Sequence, residues 1–156
     1  MTAGILDQKT GSFTFRLNYT FNPELSLEYY GQPFVSAGKY TNFKKTSNTI
    51  AGRFNERYHI FANNEMSYDA NNNKNSISEN GYGTPDYSIE NPDFNFRQFR
   101  SNLAVRWEYS PGSTLFLVWS QGRTSSATNG TFDYGQDMKE LIGIQPYNIF
   151  LVKFSY

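Results

Sequence analysis

Apolar and polar residues alternate along several stretches of the chain, and this period-two pattern predicts β-strands. The clearest case is residues 12–21, where five large apolar side chains take every second position. Because successive side chains of a strand point to opposite faces, one face of this strand is apolar and the other is polar. Its length also meets the roughly 9–11 residues that a tilted strand needs to cross a bilayer.

Four more strands are predicted in the same way, over residues 25–34, 97–109, 114–122 and 148–156. Two tight turns join the first four strands in pairs. One is Asn22-Pro23-Glu24 and the other is Ser110-Pro111-Gly112-Ser113, where proline fixes φ and glycine supplies a positive φ. The pattern therefore predicts an all-β, antiparallel up-and-down meander, and specifically a partial transmembrane β-barrel of about five strands.

The connections between these strands fall into two classes by length. Short turns follow the first and third strands, whereas residues 35–93 and 123–147 form long connections at the other end. Outer-membrane barrels have short periplasmic turns and long extracellular loops, so the carboxy terminus is expected in the periplasm. Within the long connections, the asparagine-rich residues 63–80 predict loop, residues 53–61 a short hairpin, and residues 137–144 about two turns of helix.

Aromatic residues gather where strands approach the short turns, and the last strand alternates apolar residues up to its aromatic end. This arrangement is typical of the aromatic girdle of a membrane interface. We expect the last strand to face lipid and to be recognised by the barrel-assembly machinery. The predicted membrane-facing and assembly residues are Tyr19, Phe21, Trp107, Tyr109, Phe150, Val152, Phe154 and Tyr156.

Polar residues of the same strands occupy the opposite face. Arg16, Arg100 and Arg106 share that face with asparagines and a glutamate, which predicts a polar lumen whose charges either line a channel or pair with one another. Five strands do not close a barrel, since the smallest have about eight. The remaining strands are expected from an upstream region of the same protein or from other copies of the chain.

The beginning of the chain bears on the membrane hypothesis. Residues 1–10 have neither the basic start nor the apolar core of a signal peptide. Either residues 1–156 are the carboxy-terminal portion of a longer outer-membrane protein, as a single incomplete domain, or the membrane interpretation is wrong.

Composition narrows the chemistry further. Fourteen basic and fourteen acidic residues give no net charge, so nucleic acid is not an expected partner. With no cysteine and a single histidine, His59, thiol chemistry is excluded and a histidine-based site has little support. Residues 69–79 follow a calcium-loop pattern poorly, because Lys74 stands where glycine is needed. We expect no catalytic residue, no cofactor and no metal, and therefore not an enzyme.

A resemblance to a known family supports the barrel interpretation. The segments that carry it are Asn91-Pro-Asp-Phe-Asn-Phe-Arg97, Arg106-Trp-Glu-Tyr-Ser-Pro-Gly-Ser-Thr-Leu115, Leu117-Val-Trp-Ser-Gln121 and the last nine residues. They resemble the carboxy-terminal region of the family catalogued as domain of unknown function 5916. The resemblance implies an outer-membrane β-barrel from Gram-negative bacteria, which in full-length members follows a carbohydrate-binding-like β-sandwich.

Two alternatives remain open from the sequence. One is a soluble β-sandwich that binds carbohydrate through Tyr82, Tyr87 and Tyr134. The other is a fragment of a glycoside-acting enzyme, which needs a carboxylate pair such as Asp86 with Glu90 or Asp133 with Asp137. The barrel predicts one exposed apolar band, whereas a sandwich predicts burial of the same side chains, namely Phe13, Phe15, Leu17, Leu103, Val105, Trp107, Phe150, Val152 and Phe154.

Overall fold

The computed structural model describes residues 1–81 and 84–156, and this part of the chain is almost entirely antiparallel β. It contains one 3-10 turn, Phe54–Arg57, and one α-helix, α1, Tyr134–Gly143. The described strands, numbered in chain order as β1 to β10, are Thr2–Ser12, Phe15–Asn22, Leu25–Thr46, Tyr58–Ile60, Met66–Asp69, Lys74–Ile77, Tyr87–Glu90, Phe94–Ser110, Ser113–Ala127 and Tyr147–Ser155.

The strands form two sheets. In the larger sheet β1, β3, β8, β9 and β10 follow one another, and β2 and β4 also pair with β3. The smaller sheet is β5-β6-β7. Strands β2 and β3, β8 and β9, and β9 and β10 are neighbours in both sequence and space, so the predicted all-β antiparallel class is confirmed. The count of five strands was too low, and all five predicted strands differ from the observed ones in length or at their ends.

The first predicted strand, residues 12–21, was wrong at its start. The chain forms two strands there, β1 and β2, which both pair with β3 and are separated by Phe13 and Thr14. At that break Phe13 donates its N–H to the carbonyl of Pro33 at 3.2 Å. Proline has no N–H to return, so the ladder loses a hydrogen bond at this point. Residues 1–11 were missed because they lack apolar alternation.

The loop prediction for residues 63–80 was also wrong in part. This stretch contains β5 and β6, which form a hairpin with the register Met66↔Ile77 to Asp69↔Lys74. The asparagine run supplies the turn, where Asn73 has a φ of 52°. Asparagine tolerates this left-handed conformation better than most residues. Residues 53–61 form the 3-10 turn and then β4, which pairs with the end of β3 at Lys44–Thr46.

The predicted helix is present and begins three residues earlier than expected. Asp133 caps α1, because its carboxylate accepts a hydrogen bond from the N–H of Gln136 at 3.0 Å. In the described part of the chain, no helix combines the length and the apolar character needed to cross a membrane.

The backbone contacts divide the described chain into two compact units. We call the first the hairpin unit; it comprises Met1–Lys9, Ala37–Asn95 and Ala127–Thr131. The second, which we call the strand unit, comprises Thr10–Ser36, Phe96–Ser126 and Phe132–Tyr156. The hairpin unit buries Ala37, Phe43 and Ile77, whereas the apolar side chains buried in the described part of the strand unit are Val35 and Leu141.

Candidate functional site: the two faces of the strand unit

Three contacts establish which side chains share a face of the strand unit. Asn102 of β8 and Ser120 of β9 are hydrogen-bonded, so even-numbered residues of both strands lie on one side. The rings of Phe34 and Phe96 are 6.2 Å apart and extend that side to β3. On β10 the even-numbered side chains lie on the opposite side, because Phe150 is paired with the odd-numbered Trp119.

The other side of the strand unit is apolar and exposed. Of the nine side chains expected in one band, seven are exposed and the other two, Leu103 and Val105, are half-buried. Phe150 is 71% exposed and Phe154 is 66% exposed. Apolar side chains on neighbouring strands lie opposite one another on this side, as Val152 of β10 does with Leu117 of β9. We call this surface the apolar face.

Aromatic rings mark the end of the apolar face near the short turns. The two turns are neighbours, since the N–H of Glu108 donates to the carbonyl of Glu24 at 2.7 Å. Tyr19 and Phe21 lie beside one turn with their rings 4.7 Å apart. Trp107 and Tyr109 lie beside the other at 6.0 Å. All four rings are about half exposed or more (47–57%).

A second aromatic contact lies further along the same face. Trp119 and Phe150 stack nearly parallel, with centroids 6.0 Å apart and an interplanar angle of 6°. The indole Nε1 of Trp119 donates to the side chain of Asn148 at 2.9 Å. The tryptophan therefore combines an exposed apolar ring with a satisfied polar group, which is the behaviour of aromatic residues at a boundary between apolar and wet surroundings.

The opposite, polar face carries the predicted arginines. Arg106 pairs with Glu108 at 3.0 Å. The guanidinium of Arg16 lies 5.5 Å from the ring centre of Tyr30. Arg100 lines a depression of about 310 Å³ together with Tyr30, Asn102 and Ser120. One of the three arginines, Arg106, therefore pairs with an opposite charge, and a second, Arg16, contacts an aromatic ring.

The polar face is not uniform. At β9 and β10 it carries four apolar residues, Phe116, Val118, Ile149 and Leu151. Across the ladder Val118 is paired with Leu151, Phe116 with Lys153 and Ile149 with Ser120. The polar face therefore consists of a charged half on β2, β3 and β8 and a more apolar half on β9 and β10.

The end of the strand unit away from the short turns holds a buried ion cluster that the sequence analysis did not identify. Arg97 is 4% exposed and its Nε lies 3.2 Å from the carboxylate of Asp137, which is also 4% exposed. Its Nη1 contacts Glu140. Arg97 belongs by its position to the apolar side of β8, and burial beneath α1 against two acids makes this charge tolerable.

The same cluster sets the ionisation of Glu140. Hydrogen bonds from Gln136 and Arg97, together with the charge of Arg97, lower the pKa of Glu140 below its ordinary value. Asp137 also accepts from the backbone N–H of Asp133 at 3.1 Å. The sequence held two separate parts of this signal, since an arginine interrupts the apolar positions of β8 and two acids lie about one turn apart in α1, but no local pattern connects the two.

The carboxylate pairs expected of a glycoside-acting enzyme are engaged elsewhere. Asp133 caps α1, and Asp137 is held by Arg97. Asp86 accepts from the backbone N–H of Glu79 at 2.8 Å, and Glu90 pairs with Lys74 at 3.0 Å. Neither pair therefore offers two free carboxylates on one cleft.

Of the aromatic residues expected to form a carbohydrate-binding surface, Tyr87 and Tyr134 are half-buried. Tyr134 packs edge-on against Phe13 at 5.4 Å, and burial raises its pKa. Burial is also the main cause that raises the pKa of Tyr87, followed by its hydrogen bond to Glu79. Tyr82 lies outside the described residues.

The single histidine makes a local contact. His59 Nε2 lies 2.9 Å from the carboxylate of Glu65, which also accepts from the backbone N–H of Ala62 at 2.7 Å. These two hydrogen bonds lower the pKa of Glu65. Within residues 1–81 and 84–156, no group of three or more His, Asp or Glu side chains is arranged to hold a metal ion.

Comparison with known proteins gives one match. The model of the family described as Domain of unknown function (DUF5916) matches residues 2–156. No curated protein matches the chain, and no solved structure matches it.

Proposed function

The chain belongs to the DUF5916 family, whose function is unknown, and we propose that it is a membrane-embedded segment of a bacterial outer-membrane β-barrel. In this proposal the apolar face of the strand unit contacts lipid and the polar face lines the inside of the barrel. The role is structural, with no catalytic residue, cofactor or metal. The short turns and the end of β10 face the periplasm, and the long connections face the outside of the cell.

The observation that carries the proposal is the exposed apolar face, whose opposite side is charged on β2, β3 and β8. Large exposed apolar patches on a protein mark interaction with another apolar phase or partner. From Tyr147 to Ser155, β10 advances eight residues, about 26 Å at ~3.3 Å per residue. A tilt of about 40° shortens this to about 20 Å, close to the ~25 Å apolar band of outer-membrane barrels.

The free edges of the sheet support the same proposal and define its partners. β10 is the last strand in the order β1-β3-β8-β9-β10, so one of its edges has no neighbour among the described strands. An unpaired edge in lipid would leave backbone groups without hydrogen bonds, which membranes do not tolerate. We propose that strands from elsewhere in the same protein, or from other copies, complete the barrel.

The exterior pattern of β10 bears on how such a barrel would be assembled. Its side chains Phe150, Val152 and Phe154 alternate on the apolar face, and Tyr156 follows. We propose that this strand is the one that the barrel-assembly machinery recognises. Substituting Phe154→Asp should then reduce assembly, whereas Lys153→Asp on the opposite face should not.

The proposal is tested by fractionation. The chain is expressed with a secretion signal, and outer membranes are separated and washed with urea. We expect a urea-resistant species in the outer membrane whose electrophoretic mobility changes on heating, because a closed barrel resists unfolding by detergent until heated.

Recovery of the chain as a folded, water-soluble monomer in the periplasm would contradict the proposal. In that case the exposed apolar side chains would have to be covered by a second protein layer, and the soluble carbohydrate-binding alternative would take precedence.

A further inference from the structure

The hairpin unit contains a cleft that the membrane proposal does not use. It has a volume of about 440 Å³, within the ~300–1,000 Å³ range of small-molecule sites. One wall comes from the β5–β6 hairpin and the other from β3, from the segment before β8 and from the loop after β9. Its lining includes Lys39, Tyr40, Tyr68, Asn75, Asp93 and Asn129.

Two polar side chains of this cleft have hydrogen-bonding atoms without a partner among the described residues. Asn75 is only 5% exposed, and its side-chain amide has no hydrogen bond within the described residues. Asp93 accepts from the backbone N–H of Tyr40 at 2.7 Å through Oδ1, while Oδ2 has no partner in the described part of the chain. A ligand that supplies a hydrogen bond to this nearly buried amide and a charge-assisted one to the carboxylate oxygen gains affinity.

The cleft is held in shape by contacts that leave these two groups free. Asn91 donates to Asn73 at 3.1 Å and to the carbonyl of Thr128 at 3.2 Å, and it accepts from the N–H of Asp93. Gly130 has a φ of 59°, and a Cβ there would lie 2.9 Å from the carbonyl of Gly38. Glycine therefore allows the loop after β9 to close against the cleft wall.

An aromatic surface lies directly beside the unsatisfied amide. Tyr68 and Asn75 are paired across the β5–β6 ladder, so their side chains are neighbours on one face. The hydroxyl of Tyr68 is fixed by Asn73 at 2.9 Å, while its side chain is 55% exposed. The site thus presents a ring face, an amide and a carboxylate oxygen together.

We propose that this cleft binds a neutral pyranose unit of an oligosaccharide. Vicinal hydroxyls both donate and accept, which matches a carboxylate acceptor beside an amide that does both. The C–H face of a sugar ring packs against a tyrosine ring. Asp93 and Lys39 line the same cleft with opposite charges, so it carries no net charge and favours a neutral ligand over an ion.

The test is calorimetric titration of the full chain, in detergent, with three neutral probes: cellotetraose, maltotetraose and mannotetraose. We expect at least one to bind. Asp93→Asn keeps the acceptor for Tyr40 but replaces the free oxygen, and should weaken binding about tenfold or more, as the loss of a charge-assisted hydrogen bond does. Tyr68→Ala should weaken it by a similar factor.

Two controls distinguish a site from a general effect on folding. Tyr68→Phe keeps the ring and should retain binding, and Asp86→Asn makes the same chemical change outside the cleft and should have no effect. Failure of all three probes to bind would overturn the proposal, as would binding that survives both Asp93→Asn and Tyr68→Ala. Because every lining residue belongs to the hairpin unit, the outcome is independent of whether the strand unit contacts lipid.

Discussion

The two faces of the strand unit are made by the same strands and differ in polarity, most clearly on β2, β3 and β8. On one side, Leu117, Phe150 and Val152 are all more than 40% exposed and apolar. On the other, Arg106 pairs with Glu108, and Asn102 with Ser120. In water the apolar side would be the one buried, since apolar surface costs about 25 cal/mol per Å². This inversion is the reason for proposing that the apolar face contacts an apolar phase.

Charged residues depart from this contrast at the end of the strand unit away from the short turns, and Arg97 shows why. Arg97 lies on the apolar side by its strand position, yet it carries a charge. It is buried beneath α1 with Asp137 and Glu140. The apolar face therefore ends where α1 begins to cover the sheet, and beyond that line a charge is compatible with the fold.

The largest expected effect comes from removing that charge. Arg97→Met keeps much of the side-chain volume but leaves the buried carboxylate of Asp137 without its cation. Breaking one partner of a buried ion pair costs about 3–5 kcal/mol of unfolding free energy. Arg100→Met, on the exposed polar face, should change it by less than about 0.5 kcal/mol. Urea unfolding of both variants measures the difference, and equal stabilities would refute the role given to the ion cluster.

The next prediction sets the two faces against each other at neighbouring positions. Leu117→Arg places a charge on the apolar face, and Val118→Arg places the same charge on the polar face. In lipid vesicles the first should lose about 2–4 kcal/mol of folding free energy. The second should lose clearly less, because in the proposed barrel its guanidinium faces the interior, on the side that carries Ser120 and Asn102, and not lipid. Equal losses for the two variants would remove the distinction between the faces.

A smaller effect is expected within the apolar face. Trp119 and Phe150 stack across the β9–β10 ladder. A double-mutant cycle with Trp119→Leu and Phe150→Leu should give a coupling of about 0.5–1.5 kcal/mol, the usual contribution of an aromatic pair. A cycle with Trp119→Leu and Phe154→Leu, whose cross-strand partner is Leu115, should give a coupling near zero. A coupling as large in this second cycle would show that the first does not report the stack.

The smallest expected effect is a pH dependence of stability that comes from Glu140 in the ion cluster beneath α1. The pKa of Glu140 is lowered in the folded chain by Gln136 and Arg97. Its contribution to stability is therefore fully present above its ordinary value of 4.5 and is lost as the pH falls through the lower, folded value. Glu140→Gln should remove this decline. The variant's free energy of unfolding should then keep its neutral-pH value as the pH falls through this range. A decline of the same size in the variant would assign it to other carboxylates.

Part of the fold was predictable because its signals are local. The alternation from Phe15 onwards, the Pro111-Gly112 turn and the helix after Asp133 each depend on neighbouring residues. Gly112 has a φ of 81°, as the turn requires. The apolar face was equally predictable from the sequence, since the period of two residues in a strand alone assigns Leu117 and Val118 to opposite sides.

The remainder depends on contacts distant in sequence. β1 has little apolar alternation and is held by pairing with β3, including the bond from the N–H of Thr46 to the carbonyl of Met1 at 3.0 Å. The β5–β6 hairpin was hidden because its polar strands resemble loop composition. The partner of Arg97 lies 40 residues further along the chain, and no local pattern connects the two.

The most direct test of the central claim places a single tryptophan on each face. The two native tryptophans, Trp107 and Trp119, are replaced by phenylalanine, and Leu117→Trp or Val118→Trp is added. In vesicles containing lipids with brominated acyl chains, the proposal predicts strong fluorescence quenching for the Leu117→Trp variant and little for the Val118→Trp variant. Equal quenching of both, or quenching of both by an aqueous agent alone, would contradict the assignment of the apolar face to lipid.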